Sequence, residues 1–261
     1  MIKALYTSAS GMYAQQTNLD NTASNISNAN TTGYKRSRIE FQDLIYENIR
    51  VPSPTDQGTS LPVPLQVGSG TRVVASVKNF EMGTPTQTGN PFDLMVQGDG
   101  FFQVLMPDGT IGYTRDGAWK LTAEGQVVNA QGLPMEPPIN IPSDATSILV
   151  SPEGSVSVMT QGNVDPTEIG QIELARFINP AGLLNDGGNI YTQSVSSGDP
   201  ITATPGTDGT GQLEQGYLES SNVKIVNEMI NLITAQRGYE LNSRAIRTAD
   251  DMINIATQLK R

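Results

Sequence analysis

All sixteen prolines of this chain fall between Pro52 and Pro205, and of twenty-six glycines only Gly11, Gly33 and Gly238 lie outside residues 51–216. Proline removes a helical hydrogen-bond donor, and glycine loses the most backbone freedom on ordering, so both are poorly tolerated inside helices. A chain partitioned in this way is free to be helical at both ends and is driven into turns between them. Its 261 residues are enough for one large or two modest cores.

At the N-terminal end Ile2, Leu5, Ala9, Met12, Gln16, Leu19, Ala23 and Ile26 follow one another at alternating steps of three and four. This is a heptad seam in which Leu5, Met12, Leu19 and Ile26 repeat at one position, and these four are candidate assembly contacts. The helix is predicted to stop near Asn30, where NANTTG supplies turn formers and Gly33 a permissive backbone. At the other end Ser220, Ser221 and Asn222 offer N-caps. Beyond them Val226, Ile230, Ile233, Leu241, Ala245, Ala249, Met252, Ala256 and Leu259 line one face of a predicted helix of about 38 residues. A second row, Ile225, Met229, Leu232, Tyr239, Ile246 and Ile253, broadens that face. Two adjacent rows exceed what one partner helix covers, so Val226, Ile230, Ile233, Leu241, Met252 and Leu259 are expected to meet other chains. Burying a large apolar side chain is worth about 1.5–3 kcal/mol, whereas fixing a residue's backbone costs about 1–2 kcal/mol. A seam with no partner cannot offset that cost, and the terminal helices are expected to order on assembly.

The middle reads as short strands and tight turns. Asp108-Gly109, Asp116-Gly117 and Glu124-Gly125 recur every eight residues between FFQVLM, IGYTR, AWKLT and QVVN, which predicts a meander of hairpins. Pro152-Glu153-Gly154 predicts a further hairpin between 148–151 and 155–158, and QIELARF (171–177) a further strand. Residues 50–70, with four prolines and little periodicity, are expected to form an extended connection or loop. The expected fold class is α+β: long terminal helices making a coiled-coil-like core domain around a mainly antiparallel β domain. The expected divisions are 1–33 (N-terminal helix), 34–75 (extended segment with a Pro-rich insertion at 46–66), 76–216 (β domain) and 217–261 (C-terminal helix).

Catalysis has few candidate groups here. There is no cysteine and no histidine, which removes thiolate nucleophiles, Cys and His metal ligands and every Ser-His or Cys-His arrangement. Neither a cofactor site nor a metal site is expected. Gly98-Asp99-Gly100 begins like a phosphate-binding fingerprint, but Gln103 stands in place of its third glycine, so a turn is expected. Carboxylates remain, and a secreted carboxylate-dependent hydrolase is the alternative from the enzyme class. Most of these carboxylates sit beside Gly or Pro, where they serve turns and solubility.

The net charge of −10 opposes a nucleic-acid partner. It is also unevenly placed: residues 1–50 carry five Lys/Arg and four Asp/Glu (+1), 51–216 five and seventeen (−12), and 217–261 six and five (+1). No run approaches the roughly 20 apolar residues of a membrane helix, so no direct membrane insertion is expected. Thr7, Ser8, Ser10 and Gln15 interrupt any secretory signal core, and export by a cleaved signal is not expected. Lys35, Arg36 and Arg38 form a basic cluster beside Tyr34, read as a solvated turn.

Four separated stretches resemble, in order, the flagellar rod and hook family of bacterial axial proteins. NTASNISNANTTGYKR (21–36) is similar to that family's N-terminal signature, and within it Asn30, Gly33 and Lys35 mark the family-motif turn. NPFDLMVQGDGFFQV (90–104) with YTRDGAW (113–119) resembles its β-domain entry. GYLESSNV (216–223) and AQRGYELNSRAIRTADDM (235–252) resemble its C-terminal region. Residues 42–50 and the Pro-rich segment after them resemble an insertion that separates distal rod members from hook members. The resemblance implies a structural subunit of the distal rod. Such a subunit polymerises helically through its terminal helices into a stiff hollow drive shaft that crosses the periplasm and transmits torque from motor to hook. Implied partners are other copies of the chain, proximal rod proteins, the hook protein, and the periplasmic and outer-membrane ring proteins. The flagellar type III export apparatus is implied as the export route. A paralogous proximal rod or hook subunit is the alternative within the family, and a monomeric adhesin is one outside it.

Overall fold

The computed structural model describes residues 2–50, 63–160 and 165–258. Most of the Pro-rich insertion and Leu259 lie outside the described residues. The chain divides into two compact units, one formed by residues 1–27, 37–77 and 224–261 and the other by 28–36 and 78–223.

In the first unit α1 (Ile2–Ser27) packs against α2 (Ile225–Gln258). They run antiparallel: Gly11 faces Asn242, Gly238 faces Gln15, and Asn25 Nδ2 donates to Glu228 Oε2 at 3.2 Å. The buried stripes are made of small and polar residues, Ala14, Thr22 and Asn25 on α1 with Glu228, Ala235 and Ala249 on α2. A β-carbon on Gly11 would come within 2.8 Å of Asn242 Nδ2, so the Asn242 side chain lies directly over this glycine. The large seam residues Leu5, Met12, Leu19 and Ile26 consequently flank the contact and remain half-buried.

Also in this unit, β1 (Ser37–Asp43) pairs with β4 (Thr71–Lys78), and β2 (Tyr46–Arg50) pairs antiparallel with β3 (Leu65–Gly68). The irregular connection expected for 50–70 is therefore, at its C-terminal end, one side of a ribbon. Leu65-Gln66-Val67-Gly68 is too short to display a period, and its partner lies on the other side of the prolines. Asn25 fixes the start of β1 by imitating a strand: its Oδ1 accepts the Ser37 N–H at 3.0 Å while its Nδ2 donates to the Ser37 carbonyl at 2.8 Å.

The second unit is β-rich. Its early strands are β5 (Pro85–Gln87), β6 (Leu94–Gln97), β7 (Phe102–Leu105), β8 (Ile111–Thr114), β9 (Lys120–Leu121), β10 (Val127–Val128) and β11 (Met135–Glu136). After them come β12 (Ala145–Val150), β13 (Ser155–Thr160), β14 (Thr167–Gln171), β15 (Leu174–Arg176), β16 (Leu184–Gly187) and β17 (Ile190–Thr192). The last are β18 (Ile201–Ala203), β19 (Gln212–Gln215) and β20 (Tyr217–Glu219).

A five-stranded sheet runs in the order β11-β7-β8-β17-β16 and a three-stranded sheet in the order β12-β13-β14, every pairing antiparallel. Helices at the ends and antiparallel strands between them make the chain α+β, as expected.

The expected meander holds at two of its three turns. Asp108-Gly109 joins β7 to β8, and Glu124-Gly125 joins β9 to β10. Asp116-Gly117 makes no hairpin, because β8 takes β17 as its second neighbour. Gly117 instead lies against the Leu94 carbonyl, where a β-carbon would collide. The hairpin at 152–154 forms between β12 and β13. QIELARF is not one strand: the chain leaves β14 at Gln171, Ile172 N–H bonds to the Gly154 carbonyl, and β15 pairs elsewhere, with β18.

Phe101 and Phe102 divide the interior. Adjacent residues of an extended chain point to opposite faces. Phe102 accordingly joins Trp119, Val104, Met135, Val158 and Leu174 in one core, while Phe101 joins Tyr113, Phe177 and Tyr191 in another.

Candidate assembly interface and the buried charge cluster

On α2 the face turned to α1 is already used, and the other apolar row is open. Val226 is 70%, Ile230 57% and Leu241 64% exposed, with Ile233 and Met252 about half exposed. At 1.5 Å per residue this row runs along roughly 40 Å of the 34-residue helix. The expected N-caps are otherwise engaged. Asn222 Oδ1 accepts the Arg36 N–H at 2.7 Å, its Nδ2 donates to the Asn79 and Glu81 carbonyls, and Ser220 Oγ pairs with Thr86 Oγ1. Among the described residues no helix is long and apolar enough to cross a membrane.

The family-motif turn lies in the β-rich unit, and there the solvated reading of Lys35 is corrected. Lys35 is 0% exposed. Its Nζ donates to Glu219 Oε1 at 2.5 Å and to the Glu81 carbonyl at 2.8 Å. Glu219 Oε1 also accepts the Gly83 N–H at 2.7 Å, and the Glu219 carbonyl accepts the Gly33 N–H at 2.8 Å. Arg115 closes the cluster, its Nη1 3.7 Å from Glu219 Oε2, its Nη2 donating to the Gly98 carbonyl and its guanidinium over the Phe101 ring. Burial holds the Lys35 ammonium below its usual range, and the attraction of Glu219 opposes that shift. Burial likewise lowers Arg115, again against Glu219. Lys78 Nζ sits 4.4 Å from the Tyr34 ring centre and donates to the Lys35 carbonyl. Gly33, at φ +66°, turns the chain tightly against the Arg115–Asp116 backbone, while Asn30 is exposed.

A basic run at a turn looks like surface on composition alone, so sequence reasoning missed this burial and with it the roles of Glu219 and Arg115. The available signal was that TGYK, YTRDG and GYLE each place charge close to an aromatic and a glycine.

An open groove of about 770 Å³ lies between residues 91–92, 121–125, 140–143 and 145–148, and Glu124 is the one carboxylate among these. Glycoside cleavage needs two facing carboxylates. Among the described residues no group of three or more His, Cys, Asp or Glu could hold a metal ion.

Three family profiles match in chain order. Residues 5–35 match the flagella basal body rod protein profile, 95–158 the flagellar hook protein FlgE/F/G D1 domain, and 214–259 the flagellar basal body rod FlgEFG protein C-terminal region. Lys35, Arg115 and Glu219 come one from each matched segment. The flagellar basal-body rod protein FlgG of Borreliella burgdorferi is 47% identical over the full length of both chains. FlgG of Caulobacter vibrioides is 44% identical over 99% of this chain and all of its own. FlgF of the same organism is 34% identical over 92% of this chain and 90% of its own. Full-length identity at this level, with all three profiles in order, places the chain in the FlgG family of flagellar basal-body rod proteins, structural components of the flagellar basal body rather than enzymes.

Proposed function

We propose that this chain is a distal rod subunit that polymerises helically, with the open row of α2 as its main contact. The observation that carries this reading is the row itself: Val226, Ile230, Ile233, Leu241 and Met252 remain exposed on a helix whose opposite face is occupied by α1. Burying five such side chains is worth on the order of 10 kcal/mol, comparable with the entropic cost of association. A heterologous contact of this kind repeats from copy to copy and builds an open helix. Half-buried Leu5, Met12, Leu19 and Ile26 flank the helix pair and offer a second contact strip.

In this reading the polymer is a stiff hollow shaft across the periplasm that transmits torque to the hook. Proximal rod proteins lie below it, the hook protein above, and the periplasmic and outer-membrane ring proteins around it, and the subunit is exported by the flagellar type III apparatus. Greater identity to FlgG than to FlgF of one organism favours the distal rod over a paralogous position.

The test is the assembly of concentrated protein followed by sedimentation and electron microscopy. Wild type is expected to form straight tubes, whereas Ile230→Asp with Leu241→Asp is expected to stay monomeric with its β-unit signals unchanged. Tubes of normal abundance from the double variant would rule out the α2 row as the contact.

A further inference from the structure

We infer that residues 28–36 form a strap whose docking on the Lys35–Glu219–Arg115 cluster closes one local part of the β-rich unit, so that strap and receiving segments open and close as a single event. After Ser27 the chain leaves one unit, contributes the nine residues 28–36 to the other, and is separated from the rest of that unit by residues 37–77.

It is joined to four distant segments. Gly33 N–H reaches the Glu219 carbonyl, Arg36 N–H reaches Asn222 Oδ1, Thr32 Oγ1 donates to Asp116 Oδ1, and Asn189 Nδ2 donates to the Thr32 carbonyl. The Arg36 carbonyl in turn accepts the Asn79 N–H at 2.8 Å.

The strap also neutralises what it covers. Glu219 is 2% exposed, and its Oε1 is shared by Lys35 Nζ from the strap and the Gly83 N–H from the receiving side. Lifting the strap removes one of the two cations facing a buried carboxylate and takes away the partner of the Glu219 carbonyl. A buried carboxylate in that position draws in water, and water at Glu219 competes directly for Gly83. The Gly83 N–H therefore shares the fate of Gly33 although the two are 50 residues apart and share no strand. The cluster acts as a lock whose two sides each lose their hydrogen bonds when the other leaves.

Amide hydrogen exchange on the full chain under native conditions, with denaturant added in small steps, reads this out directly. In wild type the amides of Gly33, Arg36, Asn79 and Gly83 are expected to exchange through one opening with a common denaturant dependence, before those of the β12–β13 hairpin. In Lys35→Met all four are expected to lose protection together by at least about a hundredfold while keeping one common denaturant dependence. Two outcomes would overturn the lock: Gly83 keeping its protection while Gly33 and Arg36 lose theirs, or no change at any of the four.

Discussion

Lys35 and Glu219 meet at 2.5 Å with both side chains closed to solvent, although 184 residues separate them. A buried ion pair is costly to form, and removing one member is costlier because the other charge stays buried and uncompensated. Lys35→Met is therefore expected to destabilise the β-rich unit by about 3–5 kcal/mol. In a double-mutant cycle with Glu219→Gln, the two changes together are expected to cost clearly less than the sum of the singles. Urea unfolding followed by Trp119 fluorescence measures all four corners, and additive effects would show that the pair is not coupled.

Gly33 and Gly109 both occupy left-handed backbone, at φ +66° and +82°, but only one of them is crowded. A β-carbon on Gly33 would lie 2.6 Å from the Asp116 backbone nitrogen, whereas one on Gly109 would meet nothing within 4 Å. Gly109→Ala is expected to cost about 1 kcal/mol, the penalty of the conformation alone. Gly33→Ala adds a backbone overlap and is expected to cost about 2–4 kcal/mol. Equal losses in thermal or urea unfolding would mean that the approach of the motif turn to residues 115–116 is not tight.

The difference between these two glycines also shows where reading the sequence stops. Asp108-Gly109 is a turn signal between two apolar runs, and local chemistry alone placed it correctly. Asp116-Gly117 carries the same signal and fails as a hairpin, because the strand that pairs with β8 arrives from residues 190–192. The long helices were legible for the same local reason: apolar period and the absence of proline. Their mutual contact was not, since the period advertises Leu5, Met12, Leu19 and Ile26 while Ala14, Thr22 and Asn25 are the residues that are buried. A hydrophobicity pattern ranks side chains by size and polarity, and a close helix pair selects the small ones. Burial of Lys35 escaped in the same way, because its compensating charge is supplied by a residue near the other end of the chain.

Asp108 ties the β7–β8 turn to pH. Its Oδ1 accepts both the hydroxyl and the N–H of Thr110, at 2.7 and 3.0 Å, and these bonds hold its carboxyl below the usual 3.8. A carboxylate whose native value lies below its unfolded one stabilises the fold above the unfolded value and loses that contribution as pH falls through the native value. Protection of the Gly109 and Thr110 amides, taken relative to their intrinsic exchange rates, is expected to fall only as pH drops below about 3.8. Thr110→Val removes the hydroxyl donor and is expected to move the Asp108 titration upward. NMR titration of the side-chain carboxyl carbon measures that shift, and an unmoved midpoint in Thr110→Val would remove the hydroxyl as the cause.

The helix pair itself is expected to be weak before assembly. Of the six fully buried residues between α1 and α2, three are polar (Thr22, Asn25 and Glu228) and three are alanines (Ala14, Ala235 and Ala249). Alanine burial contributes little transfer energy, while ordering each helical residue costs about 1–2 kcal/mol of backbone entropy. Intrinsic propensity does not close that gap, because α1 holds Gly11 mid-helix and a run of Asn, Ser and Thr with only moderate helix preference. In dilute monomer the far-ultraviolet circular dichroism is expected to show much less helix than the polymer, and helical signal should rise with concentration in step with sedimentation. The Ile230→Asp, Leu241→Asp variant should then stay at the monomer's low helical signal at every concentration. Full helical signal in dilute wild type, unchanged on polymerisation, would show that α1 and α2 hold each other without help from a neighbouring copy.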